Sequence, residues 1–130
     1  MESNPKHLYE YAVVRYVPNI EREEFVNVGL VMMCKRRGWI KAQFLLNPKR
    51  ISAMAPGAEL ELLENQLLSF RRIADADNAN GGPIASLDAH ERFRWLTAVR
   101  SASLQTSRPH CGLTDDLDTT FSTLFTALVE

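Results

Sequence analysis

The first third of the chain carries the alternating pattern of β-strands. Residues 8–17 (LYEYAVVRYV) are rich in aromatic and β-branched side chains and predict a strand that Pro18 and Asn19 end. Residues 25–34 (FVNVGLVMMC) predict a second strand, which is apolar on both faces and therefore central in its sheet. Residues 39–46 predict a third, because apolar and polar positions alternate along them. Short connections make these three strands an antiparallel meander.

The middle of the chain changes to the period of a helix. Residues 58–76 place leucine, phenylalanine and isoleucine on one face and predict an amphipathic helix. Residues 78–83 (NANGGP) predict a mobile loop. Asp88 is in position to cap a further helix that reaches about Ser101, because Glu91 follows it at the capping-box spacing.

The last third predicts an extended segment and a final helix. Residues 104–113 contain Pro109, which cannot donate to a strand ladder and so favours the edge of a sheet. Thr114 is the predicted N-cap of the last helix, with Asp115 and Asp116 in its first turn. The predicted fold class is therefore α+β. It has an antiparallel sheet of three N-terminal strands plus a later edge strand, packed by about three helices.

Length and composition are those of an ordinary globular protein. The chain has 130 residues, of which 45% are hydrophobic and 24% charged, and we expect a single domain over residues 1–130. No apolar stretch is long enough for a transmembrane helix, and no secretory signal is visible at the N-terminus. Two cysteines, Cys34 and Cys111, fit a reducing compartment. We therefore expect a cytoplasmic protein without a membrane partner.

Charge argues against a general nucleic-acid binder. The net charge is −1, although residues 1–50 carry an excess of four positive charges and residues 51–130 an excess of five negative ones. One local group of basic residues lies beside Trp39. It can be interpreted as a nucleic-acid surface or as a solvated hairpin tip. Its members are Lys35, Arg36, Arg37, Lys41, Lys49 and Arg50.

Common catalytic motifs are missing from the sequence. It contains no Walker A motif, dinucleotide-binding glycine pattern, paired Cys-x-x-Cys or HExxH, so no cofactor and no metal site are predicted. His110 and Cys111 are adjacent, but neighbours in an extended segment point to opposite faces, which disfavours a catalytic pair. No catalytic residue is assigned, and the sequence favours a protein without enzymatic activity.

The most unusual polar cluster is predicted at the connection between the first two strands. It consists of Arg15, Arg22, Glu24 and Asn27. Arg15 and Asn27 come close together if the two strands pair antiparallel, and Glu24 is the nearest carboxylate for the charge of Arg15. A structural polar network is one interpretation of the cluster. An anion or phosphate pocket built by Arg15 and Arg22 is the other.

A family resemblance rests on the same region. The residues Tyr9-x-Tyr11-x-Val13-Val14-Arg15-Tyr16-Val17-Pro18 and Arg22-x-Glu24-Phe25-x-Asn27-Val28-Gly29 resemble the signature of the bacterial family called domain of unknown function 3037. A tail with Arg108-Pro109, a short turn and a helix is also similar to that family. The resemblance implies a bacterial cytoplasmic setting and a protein partner, a kinase-like relative of persistence toxins. It implies no mechanism.

Two functional hypotheses follow. The first is a non-enzymatic protein-interaction or accessory domain. The second is a phosphate- or nucleic-acid-recognising domain, with an enzyme as one form of it, that uses Arg15, Arg22 and the basic hairpin. A homodimer through edge-strand pairing is compatible with both.

Overall fold

A computed structural model describes residues 6–76, 83–98 and 103–130. Within them the chain forms an α+β fold with an antiparallel sheet, which confirms the predicted class. The strands are β1 (His7–Asn19), β2 (Glu24–Cys34), β3 (Trp39–Phe44), β4 (Leu104–Thr106) and β5 (His110–Thr114). The helices are α1 (Pro48–Met54), α2 (Leu60–Ala74), α3 (Ala89–Leu96) and α4 (Leu117–Leu128), with short 3₁₀ turns at Ile20–Arg22 and Pro83–Ser86.

The sheet has the predicted meander at its centre. Its order is β3-β2-β1, and β4 and β5 both pair with the far side of β1. The predicted extended segment therefore lies at a sheet edge, but it is divided into two strands. Between these two strands, Ser107 continues the hydrogen bonding to β1. Its N–H donates to the carbonyl of Val13 over 2.8 Å, and its hydroxyl accepts from the N–H of Val13 over 2.9 Å. Pro109 lies two residues further along, between β4 and β5, where strand pairing requires no backbone N–H from it.

Both faces of the sheet are covered, which explains why β2 is apolar on both sides. Helices α1, α2 and α3 cover one face, where Val14, Val31 and Phe93 lie in the larger core cluster. Helix α4 covers the other face, where Leu30 and Phe121 lie in the second cluster. Burial of these apolar side chains is the main force that holds the layers together.

Two register shifts shape the β1–β2 pair. Val14 lies opposite Gly29, but Arg15 lies opposite Asn27, so Val28 is an extra residue in β2. Gly29 faces Phe44 so closely that an added Cβ would lie 2.3 Å from the ring. The second shift, before Asn19, accommodates Pro18. The prediction that the first strand ends at Val17, before Pro18 and Asn19, was therefore wrong, since β1 continues to Asn19.

Helix boundaries differ from the predictions in several places. Helix α1 was not predicted, because Ile51 is its one buried residue and no apolar stripe marks it; Asn47 caps it by accepting from the N–H of Arg50 over 3.1 Å. The predicted third strand ends at Phe44 instead of residue 46. Asp88 does cap α3, accepting from the N–H of Glu91 over 2.9 Å.

Helix α3 ends at Leu96, short of the predicted Ser101, and residues 99–102 lie outside the described chain, as do residues 78–82 of the predicted mobile loop. The predicted cap of α4 was also wrong. Asp116 is the N-cap and accepts from the N–H of Thr119 over 3.1 Å. Thr114 instead accepts from the N–H of Asp116.

None of the helices in the described ranges is both long and apolar enough to cross a membrane.

Candidate functional site

The connection between β1 and β2 is a tight, locally stabilised reversal. The side chain of Asn19 accepts from the N–H of Glu21 over 3.0 Å and begins the 3₁₀ turn. Glu23 closes the turn with a left-handed φ of 55°, and its N–H donates to the carbonyl of Ile20. This reversal holds Arg22 and Glu24 at the same end of the sheet.

Arg22 and Glu24 form a two-pronged ion pair. Nε of Arg22 donates to Oε1 of Glu24 over 2.7 Å, and Nη2 donates to Oε2 over 3.3 Å. This hydrogen bonding lowers the pKa of Glu24 and raises that of Arg22. The predicted pairing of Glu24 with Arg15 was wrong. Arg15 lies opposite Asn27, which is three residues along β2 from Glu24. Arg22 is closer to Glu24, because the two are only two residues apart across the turn.

Arg15 instead lies over an aromatic ring. Its guanidinium carbon is 4.0 Å from the centroid of Phe25, the spacing of a cation–π contact. Its Nε is buried without a hydrogen-bond partner, and no carboxylate of the described residues lies within 4.0 Å of its guanidinium. We call the adjoining space of about 350 Å³ the Arg15 pocket, which is lined by Arg15, Val17, Ile20, Glu23, Phe25 and Gln105.

Asn27 and Arg50 tie the end of helix α4 to the rest of the molecule. Nδ2 of Asn27 donates to the carbonyl of Leu128 over 3.0 Å, and Nη1 of Arg50 donates to the carbonyl of Val129 over 3.0 Å. Leu128 is the last residue of α4 and Val129 follows it. Carbonyls at this end of a helix have no N–H of a following turn to accept from, so side chains can satisfy them. Oδ1 of Asn27 is buried and has no partner.

These side chains surround an open cleft of about 840 Å³, which we call the β1–β2 cleft. It is lined by Pro18, Asn19, Arg22, Glu24, Phe25, Val26, Asn27, Arg50, Ala53, Met54 and Leu128. Three of the four residues predicted from sequence thus meet in one cleft, namely Arg22, Glu24 and Asn27. Arg15 lines the neighbouring Arg15 pocket, and Phe25 lines both spaces.

Sequence reasoning missed Arg50 and Met54 as parts of this cleft. Both are carried by α1, which apolar periodicity could not reveal. The signal that could have found the helix is Asn47-Pro48, because asparagine is a favoured N-cap and proline a favoured first helical residue.

The basic group predicted from sequence is not one surface. Arg50 lies in the β1–β2 cleft, whereas Lys41 pairs with Asp118 over 3.8 Å and lies 4.9 Å from the ring centroid of Phe121. Arg37 contacts His7, at the end of the sheet where β1 begins. Neighbours in the sequence are thus distributed over both ends of β2, which weakens the case for a single nucleic-acid surface.

His110 and Cys111 do not form a site with each other. The ring of His110 lies 5.4 Å from that of Tyr11, between centroids, while Cys111 is exposed and Cys34 is a buried free thiol. Among the described residues no group of three or more histidine, cysteine, aspartate or glutamate side chains could hold a metal ion.

Comparison with known proteins identifies one family. The family whose description reads "Protein of unknown function (DUF3037)" matches residues 11–129, more than nine-tenths of the chain. No curated protein and no solved structure gave a match. The matched region contains both core clusters, the β1–β2 cleft and the Arg15 pocket, except for Tyr9 at the rim of one cluster. The chain therefore belongs to the DUF3037 family.

Proposed function

We propose that the protein is a non-enzymatic interaction domain whose β1–β2 cleft binds an extended segment of another protein. The composition of the cleft lining carries this proposal. Its eleven lining residues include no histidine, cysteine, serine, threonine, tyrosine, lysine or aspartate, and Glu24 is the one carboxylate. Proton transfer and covalent catalysis need such groups at a suitable pKa. Because Arg22 lowers the pKa of Glu24, this carboxylate is a weak base at neutral pH.

The same lining suits a polypeptide. Phe25 and Met54 expose 40% and 36% of their surface, which leaves apolar area for a partner side chain. Aromatic residues, methionine and arginine are the types enriched at protein interfaces. The buried Oδ1 of Asn27 lacks a donor, and a backbone N–H of the bound segment would supply one if the side chain turns towards the cleft on binding.

The phosphate-binding alternative is less well supported by this geometry. It required Arg15 and Arg22 to converge on one anion, but they line different spaces. The charge of Arg22 is already engaged by Glu24. A protein segment requires no second free cation, so we favour the interaction domain.

The first partner to test is the kinase-like protein that the family resemblance implies. The two chains are co-expressed, purified and examined by size-exclusion chromatography with light scattering, and affinity is measured by calorimetry. We expect a defined complex that Met54→Asp weakens at least tenfold, because it places a charge in the apolar part of the cleft. Leu62→Asp is the matched control, since Leu62 is also exposed and lies on α2 outside the cleft.

Three results would contradict the proposal. The first is that no complex forms. The second is a complex that Met54→Asp and Leu62→Asp affect equally. The third is tight binding of DNA, RNA or nucleotides that weakens steeply as salt rises, which would favour the phosphate alternative. A dimer of the isolated chain that Met54→Asp dissociates would show that the cleft is occupied by a second copy.

A further inference from the structure

We infer that Arg15 binds a carboxylate carried by the partner segment, so that the Arg15 pocket recognises an acidic side chain. This inference rests on the proposed function, which it deepens by naming a chemical property of the partner. It starts from an unpaired charge. Arg15 is half-buried, and it has no carboxylate of the described chain within 4.0 Å, unlike Arg22, Arg71 and Arg94. Arg50 and Arg92 also lack such a carboxylate, but their guanidinium groups donate to backbone carbonyls.

The ring of Phe25 holds the guanidinium of Arg15 in place. A guanidinium stacked on an aromatic face keeps the donors on its edge available for hydrogen bonding in the plane of the group. Arginine binds carboxylates through two parallel hydrogen bonds in this plane. The Arg15 pocket of about 350 Å³ has room for a carboxylate and the carbon atoms that carry it.

The buried Nε of Arg15 adds a second observation. It is shielded from solvent and has no partner, so the free protein leaves one donor of a charged group unsatisfied. Such a group costs stability. A carboxylate in the Arg15 pocket can accept from the two terminal nitrogens, and it reaches Nε only if the side chain turns on binding, which would remove this cost in the complex.

A carboxylate fits this pocket better than a phosphate. Arg15 is the one cation among the pocket residues and has no ion-pair partner, and Glu23 adds a negative charge to the same lining. Arg22 lies outside this pocket, and its charge is neutralised by Glu24. A phosphate monoester carries more charge than one arginine balances. The phosphodiesters of nucleic acids carry one charge each, but nucleic acids bind through several phosphate contacts. A single negative charge is the most that one arginine balances, and Glu23 in the same lining opposes any further negative charge.

The pocket adjoins the β1–β2 cleft. Phe25 lines both spaces: its ring lies against Arg15 in the pocket and contributes to the wall of the cleft. A segment in the cleft that passes over Phe25 can therefore place an aspartate or glutamate side chain at Arg15.

The pocket can be tested without a partner by NMR spectroscopy of the arginine Nε–Hε groups. Acetate is the probe and replaces chloride at constant ionic strength. We expect a saturable shift of the Arg15 signal, while Arg71, which is engaged by Asp75, does not respond. Backbone amides that line the pocket should shift with the same saturation, and Arg15→Met, which retains a long apolar side chain over Phe25, should abolish these amide shifts. Glu23→Gln should tighten binding about twofold or more, because it removes a competing negative charge from the pocket.

Several outcomes would overturn the inference. One is an Arg15 signal that shifts no more than that of Arg71. Another is equal acetate binding by Arg15→Met and the wild type. Inorganic phosphate that binds much more tightly than acetate, together with salt-sensitive binding of a DNA oligonucleotide, would assign the pocket to a different ligand.

The partner complex provides an independent readout. We expect Arg15→Met to weaken the complex about tenfold or more, Arg15→Lys to recover little because it lacks the planar fork, and Arg71→Met to change nothing. Acetate binding without a complex would contradict the proposed function while leaving the pocket supported. A complex that depends on Met54 but not on Arg15 would leave the proposed function and overturn this inference.

Discussion

The side chain of Asn27 is hydrogen-bonded to the backbone carbonyl of Leu128, 101 residues further along the chain. This contact joins the irregular part of β2 to the end of α4, and its distance is 3.0 Å. It places the cleft wall and the last helix in one structural unit. The β1–β2 cleft is thus defined by the end of the chain as much as by its beginning.

Asn27→Asp should destabilise the protein by roughly 2 kcal/mol or more at neutral pH, because it replaces the donor with a carboxylate that faces a carbonyl oxygen. The introduced group is expected to have a pKa in the folded state above its value in the unfolded chain. The loss of stability should therefore be largest above the folded-state pKa and should diminish as pH falls through it towards about 4. Urea unfolding at several pH values measures this.

Asn65→Asp is the control for that substitution, because Asn65 is an exposed residue of α2. Equal, pH-independent effects of the two changes would show that the bond from Asn27 to Leu128 contributes nothing.

Gly29→Ala should destabilise the protein by about 1–3 kcal/mol. The added Cβ would lie 2.3 Å from Cδ1 of Phe44 and 2.9 Å from the carbonyl oxygen of Gln43, and the latter belongs to the neighbouring backbone. Chemical denaturation gives the value. Gly57→Ala is the control, since nothing lies within 4 Å of a Cβ at that position. Phe44→Leu should relieve part of the clash, and a double-mutant cycle without coupling would refute this explanation.

Asp116→Ala should lower the thermal midpoint by a few degrees, whereas Asp115→Ala should have little effect. Asp116 accepts from the backbone N–H of Thr119, and this hydrogen bond lowers its pKa. The stabilisation is therefore present above the unfolded-state pKa and is lost as pH falls through the folded-state pKa. Calorimetric melts from neutral pH down to about pH 2 should show the difference between wild type and Asp116→Ala disappearing. A constant difference would mean that the ionised carboxylate is not the cap.

Arg22→Ala and Glu24→Ala should change the thermal midpoint very little, since the pair is solvent-exposed, with 66% and 50% of the two side chains accessible. Their double-mutant coupling should decrease further in high salt. Thermal melts at low and high salt measure both effects. A large, salt-independent coupling would identify the pair as a structural element of the connection and not as part of a binding surface.

Much of the fold could be predicted from the sequence, because the repeating patterns of apolar residues that specify its strands and helices each lie within one short segment of the chain. Alternation along β1 to β3 and the apolar stripes of α2 and α4 come from residues within one element, and burial on the two sides of the sheet follows from them. The capping role of Asp88 could also be predicted, since its partner is three residues away. The antiparallel neighbourhood of Arg15 and Asn27 was confirmed for the same reason, since two strands joined by a short connection are paired.

Only the tertiary structure decided the details of the candidate site. The extra residue Val28 shifts the register of β2, and a shift of one residue changes the face to which each later side chain points. The carboxylate of Glu24 binds Arg22, two residues away across the turn, and the charge of Arg15 lies over Phe25. Arg50 lies in the cleft because α1 carries it there. This helix has one buried residue, so no repeating pattern of apolar residues reveals it in the sequence. Local patterns determined the elements of this protein, and the three-dimensional geometry of the turn and of the packed strands determined which of its charges remain free, because ion pairing depends on distances between side chains that the sequence pattern does not specify.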